Sequence, residues 1–307
     1  MSSEEGLTRA YSFLEKGDVA QARQVLTEVL EYDLDNKEVK FSVWCCSFWA
    51  DYVQMLPALD LYEQGEGLIS HWKSFLFALS KQKELFDRTL YAVQKGVFTL
   101  ALQNFSNLDE DHAPVQKAEI KRKIGLCYKK LGMYDLALTL LMEANALQPQ
   151  TASILAEVAD CYALCGEEKK AKVLFREAFF IDAQKIDLAY LDSELICCLV
   201  RQVQEHGYSG AILQEWIPVY GILYGVFNIK RELRSQEVGQ LKQDIYACEN
   251  ELRDPSCDVN IMTPKLINMY FWLIDHYART ENGSERVNEI LLHIKILDRH
   301  IYDLYVK

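Results

Sequence analysis

"KIGLCYKKLGMYDLALTLLMEANALQP", residues 123–149, is followed by "EVADCYALCGEEKKAKVLFREAFFIDA", residues 157–183. Sliding residues 118–151 by 34 onto 152–185 pairs Ala118 with Ala152, Ile120 with Ile154, Cys127 with Cys161, Tyr128 with Tyr162 and Gly132 with Gly166. The same shift pairs Ala137 with Ala171, Leu140 with Leu174, Glu143 with Glu177 and Ala144 with Ala178. No gap is needed. A fixed period of this length, with apolar residues at helical spacing on both sides of a glycine, marks a repeated pair of helices. Two antiparallel helices approach closely only where side chains are small, which gives Gly125, Ala137 and Ala144 the part of contact points.

These positions resemble the tetratricopeptide repeat family: Ile124, Gly125, Tyr128, Gly132, Ala137, Leu141, Ala144 and the helix-ending Pro149, then Val158, Ala159, Tyr162, Gly166, Ala171, Phe175 and Ala178. Ala183 stands where the pattern has its proline. The resemblance implies an all-α fold, a superhelical array of antiparallel helix hairpins with a helical C-terminal cap. A further copy is expected at the N-terminus, on Ala10, Phe13, Gly17, Ala22, Leu26 and Val29, and half a pattern on Gly96, Ala101, Phe105 and Leu108.

Outward from the repeats, the chain reads in four blocks. Residues 1–36 form the N-terminal hairpin and 37–117 divergent hairpins broken at Pro57. Residues 118–185 hold the two repeats, and 186–307 divergent hairpins and the cap. In the last block Gly210 and Pro218 disturb a helix, and residues 228–254 read as a solvated helix. Residues 255–264 read as a loop, and a final pair over 265–307 turns at Asn282-Gly283. About thirteen helices result. An apolar face in such an array must be capped or paired, so self-association is open through Trp44 and Trp49 or through the aromatic residues Tyr270, Phe271, Trp272 and Tyr277.

Composition narrows the function. The 307 residues are 50% hydrophobic and 25% charged, with 6 Pro and 14 Gly, an ordered and helix-leaning mixture. A net charge of -12 opposes a phosphate backbone, so nucleic acid is not the expected partner. No apolar run reaches membrane-spanning length, and the start lacks the pattern of a secretory signal. The nine cysteines lie mostly in apolar helical stretches without a Cys-x-x-Cys pair. They read as buried hydrophobes in a reducing compartment, and the expected location is cytoplasmic.

For catalysis a nucleophile, a base and an orienting group must meet, and the sequence offers no such set. Asp275-His276 lies in an apolar helical pattern that calls for packing. Cys161 and Cys165 supply two metal ligands, which do not make a site. His293 and His300 are two turns apart and read as surface. Neither catalytic residue, metal nor cofactor is expected.

Binding is the remaining expectation. On the helix from Lys117, the face opposite Ile120, Ile124 and Tyr128 carries Glu119, Arg122, Leu126, Lys129 and Lys130. In the repeat family the equivalent face lines a concave groove. The next copy contributes Ala156, Asp160 and Leu164. The resulting expectation is a non-catalytic adaptor or assembly scaffold that grips a peptide or protein segment, with Arg122 and Lys130 holding an acidic or carboxylate group and Ala156 and Leu164 accepting an apolar side chain. Family members that grip a chaperone's terminal carboxylate carry Lys and, four residues on, Asn; Arg122 and Leu126 stand there instead, so that partner is not carried over. A chaperone for a secreted client and a peptide-responsive regulator are the alternative readings.

Overall fold

A computed structural model describes residues 2–108, 113–229, 231–280 and 283–307. Among these are fifteen α-helices, three short 3-10 turns and no strand. The chain divides into two compact units, Met1–Gln148 and Pro149–Lys307. That boundary falls between the two copies, inside the block 118–185 that the sequence groups together.

The first unit begins with α1 (Ser3–Leu14) and α2 (Val19–Leu30). Ser2 and Glu5 form a capping box at the start of α1, and Asp18 caps α2. The turn between them is closed by two backbone bonds. The Asp18 N–H donates to the Phe13 carbonyl at 2.9 Å and the Gly17 N–H to that of Leu14 at 2.8 Å, with Gly17 at φ +77°. This is the Schellman arrangement, in which a left-handed residue satisfies two orphan carbonyls.

Next come α3 (Lys37–Met55), a 3-10 turn at Leu56–Ala58 and α4 (Leu61–Leu79), so the break falls at Pro57 as the sequence requires. Asp60 and Glu63 box the start of α4. The rest of the unit is α5 (Asp87–Ser106), α6 (Pro114–Lys130) and α7 (Tyr134–Leu147). Its core is aromatic: Trp49, Trp72, Phe75, Phe98 and Phe105 are buried, and Trp44 stacks on Phe75 at 5.8 Å. The tryptophans considered for self-association are thus largely used within the unit.

Gly96 is not the turn that its place in a half-pattern predicts. It lies inside α5, where an added Cβ would stand 1.9 Å from the Leu14 carbonyl oxygen and 3.1 Å from the Gly17 nitrogen. The glycine lets α5 cross the first hairpin at backbone contact. A buried polar chain fixes the crossing: the Tyr11 hydroxyl meets Glu38 at 2.7 Å and Thr89 at 3.0 Å, and Thr89 meets Ser42 at 2.8 Å.

The matched hairpin α6/α7 has the turn of α1/α2. Met133 N–H donates to Tyr128 and Gly132 N–H to Lys129, with Gly132 at φ +78°. Gly125 packs as the small-residue argument demands, an added Cβ falling 2.8 Å from Leu141 Cγ and 3.3 Å from the Ala137 carbonyl oxygen.

The second unit opens with α8 (Ala152–Leu164) and α9 (Glu168–Asp182), joined by the same turn, Glu167 to Tyr162 and Gly166 to Ala163 with φ +81°. Ala159 and Ala171 are fully buried. Two 3-10 turns, Ala183–Lys185 and Leu188–Tyr190, lead into α10 (Glu194–Gln204) and α11 (Gly210–Leu223). Gly210 starts α11 at φ +55°, and Pro218 is accommodated within it.

The remaining helices are α12 (Ser235–Glu251), α13 (Val259–Tyr277), α14 (Gly283–Leu297) and α15 (Arg299–Tyr305). Three readings change here. The helix expected to be solvated buries Val238, Leu241, Ile245 and Cys248 against its neighbours. The expected loop 255–264 already becomes helix at Val259, because Asp258 caps it and Pro264 costs only one bond near the helix start. The final pair is three helices, since Asp298 starts α15. The acidic run Asp109–Asp111 and the turn residue Asn282 lie outside the described residues.

Around α13 the unit is closed by charge as well as oil. Arg176 of α9 and Asp275 of α13 form a buried ion pair, and the Arg176 guanidinium lies 4.7 Å from the centre of the Trp272 ring, which Phe180 meets at 4.6 Å. Tyr270, Phe271, Trp272 and Tyr277 are all buried within the cap.

The two kinds of glycine separate in a stability experiment. Nothing lies within 4 Å of a Cβ at Gly132, so Gly132→Ala meets only the left-handed backbone and is expected to cost about 1 kcal/mol. Gly96→Ala drives a methyl into backbone and is expected to cost about 3 kcal/mol. Urea unfolding followed by tryptophan fluorescence should rank them in that order, and the reverse order would refute the contact assigned to Gly96.

Candidate protein-binding surface

Proline at the first position of α6 starts the helix, and its polar residues then meet α4. Arg122 grips Glu119 with both arms of its fork, Nε to Oε2 at 2.8 Å and Nη2 to Oε1 at 2.6 Å. The Lys123 ammonium reaches Glu66 at 2.8 Å and Glu119 at 3.7 Å. Lys123 is buried, and its charge is tolerable because two carboxylates face it. Two anions and two cations thus form a neutral strip along α4 and α6.

Beside the strip is a cavity of about 480 Å³ lined by Tyr62, Leu108, Val115, Gln116, Glu119 and Ile120. It forms where the start of α4, the end of α5 and the start of α6 meet. Val115 is 61% exposed and Tyr62 37%, an apolar rim open to solvent. Burial raises the Tyr62 hydroxyl pKa, and the charges of Glu66 and Glu119 add to the effect.

The expected groove residues do not form one open wall. Glu119, Arg122 and Leu164 are half-buried, whereas Leu126, Lys129, Lys130, Ala156 and Asp160 are buried. The cause lies in helix packing. In its C-terminal half α6 has neighbours on more than one side, and lysine can bury its aliphatic stem. The Lys130 carbonyl accepts from the Gln94 side chain at 2.7 Å, tying α6 to α5. In the second unit Asp160 accepts from the backbone N–H groups of Asp192 and Ser193 at 2.9 and 2.8 Å, which caps the start of α10. The guanidinium of Arg122, expected to hold a partner's carboxylate, is engaged by Glu119.

Lys123, Glu66 and Tyr62 were not singled out by sequence. Lys123 falls between the two faces drawn on the wheel of α6, and Glu66 lies in "EQGEG", which reads only as a failed phosphate loop.

Elsewhere the chemistry is that of packing. Asp275 is engaged by Arg176, and His276 is half-buried against Tyr277. His293 and His300 are exposed. All nine cysteines are free thiols; Cys45, Cys46, Cys127, Cys161 and Cys248 are buried, and burial pushes the Cys46 thiol up to about 12 and that of Cys248 to about 11. Among the described residues no group of three or more His, Cys, Asp or Glu could hold a metal ion, and no helix is long and apolar enough to cross a membrane.

Helix pairs that reuse one glycine turn, one small-residue notch and one period define a helix-hairpin repeat protein. Residues 119–151, α6 with α7, match the family model of the tetratricopeptide repeat. Such a repeat implies a role in protein–protein interaction and is generally a non-catalytic element. No curated protein matches the chain.

Burial raises the Glu119 pKa, but the hydrogen bond and charge of Arg122, with the charge of Lys123, outweigh it and hold the carboxyl below its ordinary 4.5. Its contribution to stability is therefore complete above pH 4.5, where the unfolded group is also ionised, and is lost as the pH falls through the lower folded value. Glu119→Gln is expected to lower stability near neutrality and to converge on the parent protein below that pH. Unfolding curves across pH 3–7 check this, and a gap that widens on acidification would contradict it.

Proposed function

We propose that the protein is a non-catalytic binding scaffold, and that its first unit takes an apolar side chain of another protein's segment into the cavity between Tyr62 and Ile120. The observation that carries this reading is the cavity itself, apolar in lining and set against the matched repeat. Its charged wall is internally neutralised, so burying an apolar group there leaves no lone charge uncovered. A stiff helical frame loses little entropy when it binds.

The partner's chemistry is set by the groups still to be satisfied. Arg122 is engaged, so a carboxylate is not the feature sought here. The net charge of -12 favours a segment with basic residues flanking its apolar anchor. Asp275 and His276, the one acid–histidine pair considered for catalysis, are used in packing, which supports a binding role over an enzymatic one. Nine free thiols, five of them buried, fit a reducing compartment, and we place the protein in the cytoplasm.

Panning a random peptide library on the full chain tests the reading. Enrichment of peptides with a large apolar residue flanked by Lys or Arg is expected, with Ile120→Arg or the more exposed Val115→Arg weakening them by about tenfold or more while the unfolding midpoint is kept. No enriched motif, or peptides indifferent to both substitutions, would discard it.

A further inference from the structure

A second cavity, of about 450 Å³, lies in the first unit. Its wall is one stripe of α2, Ala20, Arg23, Gln24, Thr27, Glu28 and Glu31, and its far side is the end of α3, Ala50, Val53 and Gln54. The stripe steps by three, one, three, one and three residues, so it is a continuous face that runs the whole helix, about 18 Å. Among its lining residues Ala20, Thr27 and Ala50 have short side chains. A helix axis can come within about 8–10 Å of another only over such residues.

We propose that this groove is the seat of a helix from a partner protein, lying antiparallel to α2. Three observations choose a helix over other occupants. α2 packs on α1 and α3 and leaves this stripe in solvent. An extended segment would need backbone partners, which the face of a helix does not offer; a helix satisfies its own. The groove also runs the full length of α2 rather than closing into a pit.

The rim sets the direction. Arg23 has no carboxylate within ion-pair reach among the described residues, and Glu28 and Glu31 have no cation; Glu28 only accepts from the Gln24 amide at 3.4 Å. Positive charge therefore lies toward the start of α2 and negative charge at its end. An antiparallel helix brings its positive N-terminus to Glu28 and Glu31 and its negative C-terminus to Arg23. The occupant has a seam of Ala and Leu, basic residues in its first turn and an acid in its last. The inference shares with the scaffold reading only that the ligand is a protein.

The probe is a stapled model helix of the same twelve-residue length as α2, with an Ala/Leu seam, Lys in the first turn and Glu in the last, carrying a photo-crosslinker at either end. Binding to the full chain is read by fluorescence anisotropy and the crosslinks by mass spectrometry. The N-terminal crosslinker is expected to mark residues 28–31 and the C-terminal one residues 19–23. Arg23→Glu should weaken binding about fivefold, and Thr27→Trp or Ala20→Trp, both at exposed positions, should abolish it with the unfolding midpoint unchanged. Ile120→Arg should leave it intact, which separates this surface from the cavity at Tyr62. No binding, binding indifferent to both tryptophans, or crosslinks in the opposite order would overturn the proposal.

Discussion

A helix must end, and the way it ends decides where the chain goes next. At Gly17, Gly132 and Gly166 a left-handed residue lets two N–H groups fold back onto the last turn, and the chain reverses within a few residues. The second helix then returns along the first at a distance set by the smallest facing residues. At Gly125 that distance leaves no room for a methyl group beside Leu141. The hairpin is therefore specified twice, at its bend by backbone conformation and at its seam by space. The resulting pair still has apolar surface on its flanks, which only further helices can cover.

Apolar flanks alone do not fix how helices slide past each other. Buried polar groups do, because an unmatched one is costly. The chain from Glu38 through Tyr11 and Thr89 to Ser42 sets α1, α3 and α5 in one register. Arg176 with Asp275 and Trp272 does the same for α9 and α13. These groups give specificity at some expense in stability, since ion pairs taken from water recover little of their solvation.

Much of this fold could be read from residues because its rules are local. A left-handed turn admits glycine and little else, so the period of 34 is written openly. Glycine has a second use, however, and Gly96 serves a crossing of helices far apart in sequence that no local pattern announces. The face of α6 was illegible for a related reason. A helical wheel divides apolar from charged positions, but Lys123, Lys129 and Lys130 are charged and buried at once, and the Lys123 ammonium is matched by Glu66 of α4. Asp160 likewise reads as a groove acid until the start of α10, thirty-odd residues on, is seen to need a cap.

The groove on α2 has a geometric origin in helix length. The matched hairpins use helices of 13 to 17 residues, and α2 has 12, but α3, α4 and α5 have 19, 19 and 20. At 1.5 Å per residue, α3 exceeds its antiparallel neighbour α2 by about 10 Å. The overhanging end, Ala50 to Gln54, becomes the side wall of the groove on α2. The cavity at Tyr62 lies where the start of α4, the segment just after α5 and the start of α6 meet. The divergence that hides residues 37–117 from the repeat pattern thus also shapes the groove on α2.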